Sequence, residues 1–67
     1  MESKLNDLKA LRERSGLSQT ELAAIVNVSQ QSVAKWENGV NSPRTDKIPE
    51  IAKALNCEIS DLFKREN

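Results

Sequence analysis

Apolar residues recur along this chain at three- and four-residue intervals and nowhere alternate with polar ones. Leu5, Leu8 and Leu11 form one run. Leu22, Ile25 and Val26 form a second, Val33 and Trp36 a third, Ile48, Ile51, Ala52 and Leu55 a fourth, and Leu62 with Phe63 a fifth. This spacing lines one face of an α-helix, and the β-branched residues are too scattered to suggest strands. Five helices are therefore predicted. The first covers residues 3–15 and stops at Gly16, which takes up a left-handed conformation without steric cost. Arg12 lies only about 40° from the centre of its leucine stripe, so it requires an anion nearby. The second helix opens on Ser18 as N-cap with Glu21 at the third helical position, the pattern of a capping box, and Leu17 and Leu22 suit a hydrophobic staple. Leu22, Ile25 and Val26 make its buried face, and Ala23 lets another helix approach closely.

Only a turn fits between Val26 and Ser29, and Asn27 is its best candidate for a left-handed residue. Ser29 caps the third helix, Val28 and Val33 repeat the staple, and Asn38-Gly39 ends it. Val33 and Trp36 share the inner side of that helix. Gln30, Gln31, Ala34 and Lys35 lie largely on the other. Residues 40–45 (VNSPRT) read as a loop. Pro49 has no N–H and must fall in the first turn of the fourth helix, which makes Asp46 its expected N-cap. Asn56 ends that helix, Ser60 is expected to cap a short fifth one, and Cys57 to pack as a small apolar residue between the two. Residues 64–67 are expected to be a loose tail.

Composition narrows the function. A chain of 67 residues makes a single domain, here residues 1–67, and buries only roughly 60% of its unfolded surface. One cysteine and no histidine exclude an internal disulfide and the usual zinc sets. The N-terminus, MESKLNDLK, has no apolar core for a signal peptide, and no stretch is long enough to span a membrane. A reducing, cytoplasmic setting is expected. Without histidine, a glycine-rich phosphate loop or a base beside Cys57, no catalytic residue can be nominated, so an enzyme is not expected. No metal, cofactor or small-molecule ligand is expected either. The formal net charge of zero argues mildly against nucleic acid, whose binders are commonly basic. Its distribution argues the other way. Acids gather towards the ends, and the second and third helices hold only Glu21 and Glu37.

Two helices across a three-residue turn can be an ordinary hairpin. So short a turn, however, forces the helices to cross steeply, as in a helix-turn-helix. The outer face of the third helix is rich in amides and free of acids, and a glutamine amide can bond adenine at N6 and N7 together. A merely solvated helix face is the alternative for Gln30 and Gln31.

Gln19-Thr-Glu-Leu-Ala23, Asn27-Val28-Ser29, Val33 and Trp36-Glu37-Asn38-Gly39 resemble the helix-turn-helix of the lambdoid phage repressor and Cro family, also called the XRE family. The flanks resemble it too: LKALRERSG before the motif, Pro43 after it, then Ile51-Ala-Lys-Ala-Leu55 and Asp61-Leu62-Phe63. The resemblance covers nearly the whole chain. Asn27 stands where the family usually has glycine, Thr45 where it often has an apolar residue, and Pro49 is unusual. The resemblance implies an all-α fold, a compact five-helix bundle of the lambda-repressor-like type with the helix-turn-helix at helices two and three. It implies base reading by Gln30, Gln31, Ser32, Ala34 and Lys35, with lysine suited to guanine and alanine to a thymine methyl. It also implies phosphate contacts from Gln19, Asn38, Asn41, Ser42 and Arg44, and an ion pair of Arg12 with Glu37.

The partner so implied is double-stranded DNA and the role a transcriptional regulator, most simply a repressor. An antitoxin, a restriction–modification control protein or a protein-interaction module that does not bind DNA would share the fold. One recognition helix reads few base pairs, so two copies on a palindromic operator, about 34–36 Å apart, are expected. With no separate oligomerisation domain in the sequence, the dimer is expected to be weak or formed on DNA. Glu58 and Ile59 with the fifth helix are its candidate contact.

Overall fold

The structure, a computed structural model, describes residues 7–63. Five α-helices follow in order: α1 (Leu8–Arg14), α2 (Gln19–Ile25), α3 (Gln30–Glu37), α4 (Ile48–Ala54) and α5 (Ile59–Leu62), with a 3-10 turn at Thr45–Lys47 leading into α4. No strand occurs among the described residues. The predicted start of the first helix at residue 3, the place of Leu5 in its stripe and the loose tail at residues 64–67 lie outside them.

Each of the first four helices is closed by the same local device. Gly16, Asn27, Gly39 and Asn56 all have φ between 55° and 77°. In each case that residue's N–H and the next one reach back to successive carbonyls. Gly16 donates to Glu13 and Leu17 to Arg12; Asn27 donates to Ala24 and Val28 to Ala23; Gly39 donates to Trp36 and Val40 to Lys35; Asn56 donates to Lys53 and Cys57 to Ala52. This is the Schellman arrangement, which satisfies carbonyls a helix end otherwise leaves unpaired. The helix starts are equally local. The Ser18 side chain accepts from the Glu21 N–H at 3.0 Å while Glu21 accepts from the Ser18 N–H at 2.8 Å, completing the capping box. Ser29 caps α3 by accepting from the Ser32 N–H at 3.1 Å.

Inside, Leu8, Leu22, Val26, Val33, Ile51, Leu55 and Leu62 are buried together with Ala23, Trp36 and Ala52, and Leu17, Val28, Cys57 and Phe63 pack against them. α2 packs chiefly on α3, α3 also meets α1, and α2 also meets α4. The chain closes on itself where the Asp7 N–H meets the Leu62 carbonyl at 3.4 Å.

Three expectations are corrected. Ile25 is not on the buried face of α2 but 56% exposed. Burying Ala23 lets a neighbouring helix approach closely, and Ile25 lies about 200° round the helix from it. Asp46 does not cap the fourth helix. The chain enters α4 through the 3-10 turn, with Lys47 at the N-cap position and Pro49 within the first two helical residues. Because Pro49 has no N–H, the Thr45 carbonyl accepts from the Ile48 N–H instead, the tighter bond of a 3-10 turn. Ser60 does not cap α5 either. Glu58 is the N-cap, and its N–H donates to the Asp61 side chain at 3.1 Å.

The left-handed ends give a direct test. Asn56→Ala is expected to lower stability by about 1 kcal/mol, whereas Asn56→Gly leaves it unchanged or raises it. Urea denaturation of the two variants and the wild type measures both.

Candidate nucleic-acid interface

Arg12 points from α1 to the last residue of α3. Its Nε donates to Glu37 Oε2 at 2.6 Å and its Nη2 to Glu37 Oε1 at 3.2 Å, while Nη1 donates to the Leu17 carbonyl at 2.7 Å. The side chains of Arg12 and Glu37 are 9% and 2% exposed. A guanidinium fork matched to a carboxylate is the strongest ion-pair geometry available, and here the third bond secures the turn that leaves α1. The hydrogen bond to Glu37 raises the Arg12 pKa above its ordinary value against the opposing effect of burial. For a cation so shifted, the stabilisation is complete below the ordinary guanidinium range and is lost only as pH climbs beyond it.

A second chain of contacts starts from the same carboxylate. Gln19 Nε2 donates to Glu37 Oε1 at 2.9 Å, and Gln30 Nε2 donates to Gln19 Oε1 at 2.6 Å. The two glutamines stand at equivalent places, each directly after a capping serine (Ser18-Gln19 and Ser29-Gln30), so each is the first residue of its helix. That repeat was visible in the sequence. The bond between them was not, because it depends on the crossing of α2 and α3. Gln19, expected to contact phosphate, is half-buried and has both ends of its amide engaged by side chains of the protein.

The other nominated residues lie on α3 and in the segment that follows it. Gln30, Gln31 and Lys35 are exposed on α3, with Ala34 and Ser32 half-buried beside them. The Ser32 hydroxyl is 3.0 Å from that of Ser29, so a base or phosphate would compete with the cap for it. Asn38 is the C-cap of α3, and Asn38, Asn41, Ser42 and Arg44 are exposed. Arg44 lies 3.6 Å from Asp46, both largely in solvent, where such a pair is worth little and leaves the guanidinium available. Lys47 is occupied differently. Its Nζ donates to the Val26 carbonyl at 2.7 Å and to Glu50 at 3.3 Å, a cation at the C-terminal end of α2, where the helix dipole favours it. The two acids of the motif are both engaged, Glu21 in its capping box and Glu37 under Arg12. Of these two acids only Glu37 is paired with a cation; Glu21 keeps its charge at the exposed start of α2.

Glu58 and Ile59 lie at the start of α5. Ile59 is 45% exposed and borders a shallow, mostly apolar cleft of about 400 Å³ with Pro43, Ile48, Pro49 and Phe63. Among the described residues no group of three or more Cys, Asp or Glu side chains is arranged to hold a metal ion, and no helix is long and apolar enough to cross a membrane. The Cys57 thiol is pushed above its ordinary pKa by burial first, then by the charges of Asp61 and Glu58.

A helix-turn-helix family profile matches residues 8–62. The uncharacterized HTH-type transcriptional regulator YgzD of Bacillus subtilis is 38% identical over 58 residues, which cover 87% of this chain and 88% of that protein. Antitoxin PezA of Streptococcus pneumoniae is 36% identical over 56 residues, covering 84% of this chain and 35% of PezA. The P22 c2 repressor in complex with a synthetic operator has a TM-score of 0.83, covering 97% of this chain and all of that one at 24% identity, a likeness of fold. The chain spans between 35% and 51% of the length of three of its curated relatives.

Removing one side of the buried pair strands the other. Arg12→Ala is expected to destabilise the protein by about 3–5 kcal/mol, read from thermal or urea unfolding. The thiol offers a second check. At mildly alkaline pH Cys57 should react more slowly with a thiol reagent in the folded protein than in urea, because the raised pKa leaves less thiolate.

Proposed function

Because this chain belongs to the XRE family of helix-turn-helix DNA-binding regulators, we propose that it binds double-stranded DNA with α3 in the major groove and regulates transcription, acting as a repressor at a palindromic operator. One observation carries this reading: the outer face of α3 offers Gln30, Gln31 and Lys35 to solvent while the acid at its end is buried under Arg12. Amides suit adenine edges and lysine suits guanine O6 and N7. Asn38, Asn41, Ser42 and Arg44 supply contacts to the sugar–phosphate backbone, which set register and carry no sequence information. The protein works in the cytoplasm, where bacterial or phage DNA is found.

A second copy completes the operator. Half-exposed Ile59 beside the apolar cleft supports a small contact around Glu58 and Ile59, too slight for a tight dimer away from DNA. Sedimentation of the free protein as a stable dimer would overturn that part of the reading. The likeness to antitoxin PezA favours, as the second reading, an antitoxin of the same family. Co-purification of a partner protein in stoichiometric amount distinguishes it from a free-standing repressor.

Selection from random DNA followed by mobility-shift titration tests the main reading. Enrichment of a palindrome is expected. The affinity should weaken by at least severalfold between about 50 and about 200 mM salt. Gln31→Ala should abolish sequence preference at its base pair and leave the melting temperature unchanged. No binding even at low salt would refute DNA recognition.

A further inference from the structure

The end of α3 places an Asn-Gly pair at an exposed position, with Asn38 as C-cap and Gly39 in the left-handed conformation that closes the helix. An asparagine is chemically labile where the backbone nitrogen of the next residue can reach its side-chain carbonyl carbon. Glycine has no Cβ to shield that nitrogen. The other described asparagines are better protected. Asn27 precedes Val28 and Asn56 precedes Cys57, whose N–H groups donate to the Ala23 and Ala52 carbonyls at 2.9 Å and 3.0 Å. Asn41 precedes Ser42, which carries a side chain beside its nitrogen. The Gly39 N–H is both bare and weakly held, reaching the Trp36 carbonyl at 3.3 Å, beyond the usual range of about 2.7–3.2 Å. The closed turn still withholds it from reaction. Asn38 has ψ 0°, so the Gly39 nitrogen eclipses the Asn38 nitrogen and stands away from the side chain. The Val40 N–H, donating to the Lys35 carbonyl at 2.9 Å, keeps it there.

Resting on the reading of Asn38 as a contact to the DNA backbone, we propose that Asn38-Gly39 is a self-modification site gated by the closing turn of α3, and that its reaction weakens DNA binding. When the turn opens, the Gly39 nitrogen attacks Asn38 Cγ. The bond from that nitrogen to Cγ forms, the Cγ–Nδ2 bond breaks, and ammonia leaves carrying the Gly39 amide proton. Water then opens the resulting succinimide. Cleavage at Cγ gives an aspartate, and cleavage at the main-chain carbonyl gives an isoaspartate, whose backbone is one carbon longer. Water is the only co-reactant, and nothing is oxidised or reduced. Either product sets a carboxylate at the C-terminal end of α3, where the helix dipole disfavours it, and against a phosphate that repels it. The isoaspartate also displaces the Gly39 and Val40 N–H groups from the carbonyls they cap. Opening of a helix end is among the least costly motions of a fold, and the chemical change is one-way. The affinity of each copy therefore declines with the time its turn has spent open.

The test first follows the chemistry without DNA. Wild type is held at mildly alkaline pH, folded and in urea, and its peptides are mapped over time by fragmentation mass spectrometry, which separates Asn38 from Asn41. Aspartate and isoaspartate are expected to accumulate at Asn38 in the folded protein, and severalfold faster in urea, where the turn is abolished. In urea, where folding plays no part, Gly39→Ala should slow the reaction severalfold by shielding the nitrogen. Mobility-shift titration on the DNA that wild type selects then compares Asn38→Ala, which removes the contact, with Asn38→Asp, which adds the charge, each first shown to be folded by circular dichroism. Asn38→Asp is expected to bind severalfold more weakly than Asn38→Ala, and folded wild type should lose affinity as its converted fraction grows. Folded protein that stays intact at Asn38 while the unfolded chain is fully converted, or that converts as fast as the unfolded chain, overturns the gated site. Equal binding by the two variants overturns its consequence and leaves DNA recognition standing. Failure of the wild type to select any sequence overturns DNA recognition, and that consequence with it.

Discussion

Arg12 and Glu37 meet where α1, α2 and α3 converge, and much of the molecule's arrangement is referred to that contact. Helices of seven and eight residues have little stability of their own, since nucleation is costly and packing must supply what propensity does not. The apolar core supplies most of it without specifying angle closely. A bidentate guanidinium–carboxylate contact tolerates little angular error, so it fixes how α3 lies against α1. Its third bond, to the Leu17 carbonyl, ties the start of α2 to the same point. Removing Glu37 from solvent also withdraws a negative charge from the end of α3. The pair thus has a structural and an electrostatic consequence at once.

The same carboxylate links the buried pair to the exposed start of α3. The buried pair, the bridging Gln19 and the exposed Gln30 form one hydrogen-bonded series. In such a series each amide is polarised and oriented by its neighbour, and the whole is worth more than separate deletions suggest. Gln31 and Lys35, further round α3, are not part of it. Adjacent glutamines of α3 therefore stand in different situations, Gln30 bonded to Gln19 and Gln31 outside that series.

What could be read from the sequence was what is decided locally. Ser18 with Glu21, and Ser29 before its amides, announce helix starts because the capping atoms lie within three residues. Gly16, Asn27, Gly39 and Asn56 announce ends because few side chains tolerate positive φ. The course of the chain and the core residues Leu22, Val33, Trp36 and Ile51 followed from these. Ile25 was misjudged because helical periodicity gives a stripe but not which edge of it a small residue such as Ala23 draws inward. Asp46 and Ser60 were misjudged for another reason: the rules weigh side-chain type, whereas a 3-10 entry around Pro49 and a glutamate cap at Glu58 are settled by backbone geometry. The resemblance to the repressor family directed attention to the outward residues of α3, but the internal occupation of Gln19 and Lys47 appears only when α2 and its neighbours are set in space.

The repeated closing turn bears on how quickly the molecule forms. Each left-handed terminus reverses the chain using bonds that span three to five residues, so little loop entropy is lost in making any one of them. Successive helices can then meet neighbours close in sequence, the condition under which small domains fold fastest. Other contacts require distant parts of the chain to find each other. Arg12 must meet Glu37, 25 residues on, the Lys47 ammonium the Val26 carbonyl, 21 residues back, and the Ser15 hydroxyl the Leu55 carbonyl, 40 residues on, while Leu62 returns to Asp7. Closing gaps of this kind costs more loop entropy than forming the helices does.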